Sequence, residues 1–171
     1  EELKIFVSSK KKLVIKVGFD PTTSDLHLGH LVIILKLRQL QDLGFNIIII
    51  IGDFTAMIGD PSGKNSSRKI LSKDFIINNY LTYVHQISKF LINDLTNIYF
   101  NSSWYDFFSF YNFIKLASFS TISRMLERSD FKNRFDSNLP ITISEFIYPL
   151  LQAYDSVFLD VDLEIGGIDQ K

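Results

Sequence analysis

Apolar residues along this chain change their spacing several times, and each change marks an element. Leu13-Val14-Ile15-Lys16-Val17 is a short apolar run that stops at Gly18 and reads as a strand. After a turn rich in Pro, Thr, Ser and Asp the period lengthens. Leu28, Leu31, Val32 and Leu35 form one stripe that Ile33, Leu37 and Leu40 widen, which predicts a largely covered helix over Leu28 to Leu43 with Gly44 as its C′ residue. Ile47 to Ile51 are five consecutive isoleucines, expected to form a strand buried on both faces, as in a parallel sheet. Strand, helix and strand in this order predict a right-handed βαβ unit.

Downstream, Ser72 is placed to cap a helix reaching about Leu91, with Phe75, Ile76, Tyr80, Tyr83, Ile87 and Phe90 on its apolar side and His85 at the surface. Asn97 to Phe100 reads as a short strand. The aromatic cluster from Trp104 to Phe113 reads as packing, because no basic residues interleave with it as a base-stacking groove requires. Two further helices are expected near Ile114 to Arg128 and Ser144 to Tyr154, separated by a polar loop around Lys132 to Asn138, with a kink or broken turn at Pro149. Alternating strands and helices place the chain in the α/β class, as one domain over its 171 residues.

Composition narrows the function classes. A hydrophobic content of 46% excludes a disordered chain, and no apolar run reaches the roughly 18 residues that span a bilayer. Lys plus Arg (18) against Asp plus Glu (19) leaves a net charge of -1, so there is no global electrostatic footprint for nucleic acid. Any RNA contact must use a local patch or another region. The absence of cysteine rules out disulfides and thiolate metal sites and permits a reducing compartment. Glu1-Glu2-Leu3-Lys4 has neither an initiating Met nor a signal-peptide core, and reads as a start in mid-sequence.

Candidate chemistry concentrates at three places. Between Lys16 and His30 a strand runs through a turn into a helix, the arrangement that binds phosphates at helix N-termini. Gly29 lets a ligand approach the backbone, and His27 and His30 can face that ligand from the first turn. The competing reading is a helix start capped by Asp25 with two surface histidines. After the isoleucine strand, Gly59, Pro61 and Gly63 make turns that hold Asp60 and Lys64 at the carboxyl edge of the sheet, where doubly wound folds bind ligands. Near the end, Tyr148, Gln152 and Asp155 share one helix face, which is either its solvent side or the polar wall of a pocket.

These segments resemble a known family. G-F-D-P-T at Gly18 to Thr22 followed by H-L-G-H at His27 to His30 is similar to the first signature of the class I aminoacyl-tRNA synthetases, in the form typical of the tyrosyl-tRNA synthetases. The same family is matched by I-G-D-P-S-G-K ending at Lys64 with Arg68 beyond it, by Y-x-x-x-Q-x-x-D from Tyr148 to Asp155, and by G-G-I-D-Q from Gly166 to Gln170. Four motifs in register are far more specific than one, and the resemblance runs from about Leu13 to the end. It implies a partial Rossmann-type (HUP-like) doubly wound parallel sheet that activates tyrosine with ATP to an enzyme-bound adenylate and transfers it to tRNA(Tyr). Carried over position by position, Thr22 and His27 match contacts to the phosphates, Gly29 and His30 match contacts near ribose and adenine, and Gly18 matches an ATP-binding position. Lys64 and Arg68 match the cations that meet pyrophosphate in the transition state. Asp60, Tyr148 and Gln152 match the residues holding the tyrosine α-amino group, and Asp155 the carboxylate that accepts its hydroxyl. Asp20, Gly167, Asp169 and Gln170 match residues around the ribose and the reacting carboxylate. The resemblance also implies magnesium bound through ATP rather than a protein metal site, a homodimer meeting through the Ile114 to Leu126 and Ile141 to Leu151 regions, a cytoplasmic location and no membrane partner.

Three departures qualify it. Lys16 stands where many members have a tyrosine that shares the substrate hydroxyl. The second family signature, a K-M-S-K-S-type loop, and the anticodon-recognising and C-terminal tRNA-binding regions do not fall within the 171 residues. The expectation is therefore a catalytic-domain fragment. Two other readings compete with it: a different H-x-G-H nucleotidyltransferase, which has no reason to carry the Tyr148 to Asp155 motif, and an inactive synthetase-like module for dimerisation or RNA binding.

Overall fold

The computed structural model describes residues 13–61 and 72–167. Within them four strands form a parallel sheet: β1 (Val14–Phe19), β2 (Asn46–Ile51), β3 (Thr96–Phe100) and β4 (Leu163–Glu164), in the order β3-β2-β1-β4. The isoleucine run occupies the interior strand. Ile47 to Ile51 pair with Ile15 to Phe19 on one side and with Thr96 to Phe100 on the other. Ile47, Ile49 and Ile51 are completely buried and Ile50 is 1% exposed, each such side chain contributing about 1.5–3 kcal/mol of transfer free energy. The pattern's prediction of a strand covered on both faces is met.

One face of the sheet carries Ile15, Val17, Phe19, Ile47, Ile49 and Ile51 against helix α1 (Leu28–Asp42), through Ile34 and Leu37. It meets the long helix over Lys73–Ser88 through Tyr83 and Ile87. A one-turn helix, α2 (Thr55–Ile58), follows β2, and the Lys73–Ser88 helix is therefore α3. On the opposite face Ile48 and Ile50 pack against Trp104 and Tyr105 of α4 (Ser102–Tyr105) and Leu151 of the last long helix. Between them lie α5 (Phe110–Ala117), α6 (Ile122–Met125) and α7 (Ser129–Asp136), and the last helix, α8, spans Ile143–Phe158. Helices on both faces make the sheet doubly wound.

Several sequence expectations need correction. In α1 the buried face is Ile34, Leu37 and Gln41, while Leu28, Val32 and Leu35 point outward, 80%, 70% and 48% exposed. Apolar residues lie on more than one side of this helix, so periodicity found Leu37, Ile33 and Leu40 on the core but included an exposed stripe with them. Gln41 is buried because its amide bonds Ile92 and the Thr96 hydroxyl at the start of β3. Ile114 to Arg128 is two helices, since the Thr121 hydroxyl accepts from the Arg124 N–H and starts α6 afresh. The segment read as a loop, Lys132 to Asn138, is largely helix α7. Its buried residues are Phe131 and Arg134, and a paired interior arginine gives no apolar signal. α8 runs on through Pro149 without the expected broken turn. The aromatic cluster is divided: Trp104 and Tyr105 are buried, whereas Phe107, Phe110 and Tyr111 are 86%, 78% and 76% exposed.

Candidate functional site

The chain leaves β1 for β2 and β3 on one side and returns to β4 on the other, so β1 and β4 flank the point where strand order reverses. Doubly wound sheets bind ligands beyond the carboxyl ends of such strands. A cleft of about 390 Å³ opens there. It gathers Gly18, Asp20, Thr22, His27, Gly29, His30, Asp60, Tyr148, Gln152, Asp155 and Gly167, every predicted site residue that falls among the described ones. Lys64, Arg68, Asp169 and Gln170 lie outside the described residues. For α8 the open question is decided: Tyr148, Gln152 and Asp155 form a pocket wall. A side chain at Gly18 would meet nothing within 4 Å, so this glycine keeps the cleft floor clear over β1.

At the other end stands the start of α1. Its N-cap is His27, not Asp25. The His27 Nδ1 accepts from the Gly29 N–H at 3.1 Å, and the His30 Nδ1 accepts from the His27 N–H at 3.2 Å, a reciprocal box built from two imidazoles stacked 3.9 Å apart. Each neutral ring therefore carries its proton on Nε2 and can donate to an anion. Burial, and then the neighbouring His27, lower the His30 pKa and favour this neutral form. Gly29 has a structural purpose at the cap. A Cβ there would fall 2.9 Å from the His27 ring, so glycine makes room for the imidazole cap.

A hydrogen-bond chain, fully buried toward its Asp155 end, joins Asp20 to Asp155 along the cleft. The Tyr148 hydroxyl donates to Asp20 Oδ2 at 2.8 Å, and the Thr55 hydroxyl donates to Asp20 Oδ1 at 2.9 Å. Asn101, fully buried, donates through Nδ2 to both the Thr55 hydroxyl and Asp155 Oδ2, at 3.0 and 3.2 Å. Asp155 Oδ1 then accepts from Trp104 Nε1 at 2.9 Å and from the Tyr105 hydroxyl at 2.6 Å. Gly52 is required here, since a Cβ would lie 2.0 Å from Asp20 Oδ1 and 2.3 Å from the Thr55 hydroxyl. Burial pushes Asp20 up to about 7 against the lowering bonds from Tyr148 and Thr55, with the charges of Asp60 and Asp155 adding to the rise. Burial likewise raises Asp155, although Tyr105, Asn101, Trp104 and the charge of Lys16 act the other way.

Lys16 is 1% exposed on the cleft face of β1. Its ammonium lies 2.9 Å from the Ser156 hydroxyl, 3.1 Å from Glu164 Oε1 and 3.3 Å from the Gln152 carbonyl. Gln152 Nε2 and the Ser156 hydroxyl donate to Glu164 in turn, at 3.0 and 2.7 Å. Sequence reasoning missed Thr55, Asn101, Trp104, Tyr105 and Glu164. They reach Asp20, Asp155 and Lys16 from other elements, so no local spacing announces them, and Trp104 and Tyr105 look like packing because they also pack.

Among the described residues, four carboxyl groups, Asp20, Asp60, Asp155 and Glu164, and one ammonium, Lys16, line the cleft. Such a surface attracts a cationic group and repels phosphates, which are better met by the imidazole N–H groups at the helix start. A carboxylate offers about four acceptor positions. Among the described residues Asp155 has three protein donors, two on Oδ1 and one on Oδ2, fewer than those positions. The described cleft thus suits a ligand with an ammonium, a hydroxyl donor and an anionic part at the far end.

A family model described as tRNA synthetases class I (W and Y) matches residues 8–171. The tyrosine–tRNA ligase of Xylella fastidiosa is 53% identical over 171 residues, covering 100% of this chain and 41% of that protein. That of Aquifex aeolicus is 52% identical over 171 residues, 100% of this chain and 44% of that protein. The chain spans about four-tenths of the length of these curated relatives. Among solved structures, a C-terminally truncated mitochondrial tyrosyl-tRNA synthetase from Aspergillus nidulans superposes with a TM-score of 0.85 at 23% identity, over 99% of this chain and 52% of that one, a likeness of fold. The tyrosyl-tRNA synthetase of Archaeoglobus fulgidus complexed with L-tyrosine gives 0.74 at 28% identity, over 99% and 50%.

Proposed function

The chain belongs to the class I tRNA synthetases of the tryptophan and tyrosine group, and from that premise we propose that the protein carrying it is a tyrosine–tRNA ligase. It activates tyrosine with ATP to an enzyme-bound tyrosyl adenylate and pyrophosphate, then transfers the tyrosyl group to tRNA(Tyr). The observation that carries this reading is Asp155, a buried carboxyl group in the cleft wall that accepts three hydrogen bonds from the described residues, one fewer than the about four acceptor positions a carboxylate offers. Curated relatives at 52–55% identity are named tyrosine–tRNA ligases, which favours a phenol over an indole as the fourth donor.

In this mechanism the substrate's own carboxylate attacks the α-phosphorus in line and displaces pyrophosphate, so no covalent nucleophile on the protein is needed. Positioning and positive potential at the separating phosphates supply the catalysis. Asp60, Tyr148 and Gln152 hold the α-ammonium. Asp20 and Gly167, with Asp169 and Gln170 beyond the described residues, serve the ribose and the reacting carboxylate, and Gly18 and Gly29 contact ATP. Thr22, His27 and His30 donate to the phosphates and ribose from the start of α1, and Lys64 and Arg68 supply cationic charge. Magnesium takes oxygen ligands and would be held mainly through the ATP phosphates. Residues 1–171 act as one catalytic domain of a cytoplasmic homodimer, with tRNA bound largely by regions beyond this chain. Among the described residues no helix is long and apolar enough to cross a membrane.

The test is ATP–pyrophosphate exchange by the full-length protein with single amino acids. Exchange that depends on tyrosine supports the reading. Equal exchange with phenylalanine or tryptophan, or none with any amino acid, overturns it.

A further inference from the structure

We propose that Lys16 is a specificity-determining positioning residue of the amino-acid pocket, whose ammonium holds the polar face of α8 against β1 and β4 so that Asp155 can accept the hydroxyl of an aromatic amino acid. The inference rests on the tyrosine reading above and deepens it. A lysine as buried as this one is stable only when its charge is compensated and its protons are used. Here all three ammonium protons have protein acceptors, at the Ser156 hydroxyl, Glu164 Oε1 and the Gln152 carbonyl. None is left for a substrate. Lys16 therefore does not substitute for a hydroxyl-sharing tyrosine by touching the phenol, and its effect must pass through the groups it holds.

Those groups are well chosen for the purpose. Ser156 follows Asp155 in the chain and Gln152 precedes it by one helical turn, so the ammonium grips α8 on both sides of that carboxylate. Glu164 completes the tie from β4, at residue-to-residue register with Lys16 in the sheet. Its own oxygens gather Gln152 Nε2 and the Ser156 hydroxyl, which makes Lys16 and Glu164 the two centres of one network across three elements. The positive charge of Lys16 also opposes the burial that raises Asp155, keeping that group a better acceptor.

The experiment is steady-state ATP–pyrophosphate exchange by the full-length protein, comparing the unmutated form with Lys16→Met and Glu164→Gln. Methionine keeps most of the stem and removes the ammonium. Lys16→Met is expected to raise the KM for tyrosine about tenfold or more and to lower the tyrosine-to-phenylalanine ratio of kcat/KM by a similar factor, with the KM for ATP changed less than about twofold. Glu164→Gln should shift the same two quantities in the same direction by less, and it carries the test if Lys16→Met does not fold. Variants that keep both quantities, or that raise both KM values equally as general damage would, overturn the role of Lys16 while leaving the tyrosine reading intact. An unmutated protein without tyrosine-dependent exchange overturns that reading, and the inference with it.

Discussion

At His27 one imidazole caps α1 through Nδ1 and also lines the cleft. His27→Ala should cost about 1 kcal/mol of stability as a lost cap and about a hundredfold in the rate of adenylate formation as a lost donor to separating phosphates. Tyrosine affinity, measured by equilibrium binding, should stay unchanged if, as proposed, His27 acts on the phosphates only in the transition state. A variant that forms adenylate at the unmutated rate in a pre-steady-state burst, with substrates saturating, would reduce His27 to a cap. Asp20 gives a pH prediction. Its folded pKa of about 7 lies above its ordinary value of 3.8, so the protonated form is bound better in the folded state. That contribution to stability is complete below the ordinary value and is lost as pH rises through about 7. Asp20→Asn cannot ionise. Relative to the unmutated protein its melting temperature should be higher at pH 8 by about 5 °C or more, with the gap closing toward pH 4. A gap independent of pH would show that Asp20 titrates normally.

Among the elements, α8 contributes Tyr148, Gln152 and Asp155 to the cleft wall and is fixed at its start by an interior ion pair. Arg134 of α7, 2% exposed, donates from Nη1 to Glu145 Oε1 at 2.6 Å and from Nη2 to Oε2 at 3.1 Å, and Nη2 also meets the Pro140 carbonyl. Glu145 in turn accepts from the Thr142 N–H at 2.7 Å in a capping box. Burial pushes the Glu145 carboxyl up, but the bonds from Arg134 and Thr142 outweigh it and hold the carboxyl below its ordinary value. Arg134→Met would leave that carboxylate buried and unpaired, a loss of about 3–5 kcal/mol. Chemical denaturation of the full-length protein should show it, with the tyrosine KM rising as α8 loosens. A change under 1 kcal/mol would mean that the pair is as solvated as a surface one.

For the whole molecule the decisive feature is the stretch from α5 to α6. Phe107, Phe110, Tyr111, Ile114, Phe119 and Ile122 are all more than half exposed, and Ile143 at the start of α8 is 80% exposed. Monomers rarely present that much aromatic and aliphatic surface in one region. The proposed homodimer would cover it. Sedimentation should give a dimer at micromolar concentration, and Phe110→Asp with Ile114→Asp should give a folded monomer. A monomeric unmutated protein at tens of micromolar, roughly the range where a standard-sized interface holds, would remove this surface as the interface.

What the sequence determined by itself was whatever depends on neighbours along the chain. The isoleucine run declared a central parallel strand because burial on both faces needs no partner to be legible. The four motifs marked out the cleft because Thr22, His27 and His30 sit on one strand–turn–helix unit, and Tyr148, Gln152 and Asp155 on one helix face. Tertiary structure decided what depends on charge burial and on contacts between distant elements. Only the fold joined Asp20 to Asp155 through Thr55 and Asn101, residues without any distinguishing spacing. Arg134 looked like part of a solvated loop because a charged residue inside a protein is recognisable only once its counter-ion is in place. The same reason hid the position of Lys16: a lysine in an apolar strand is unremarkable in one dimension, and its protons are accounted for only where α8 and β4 come together around it.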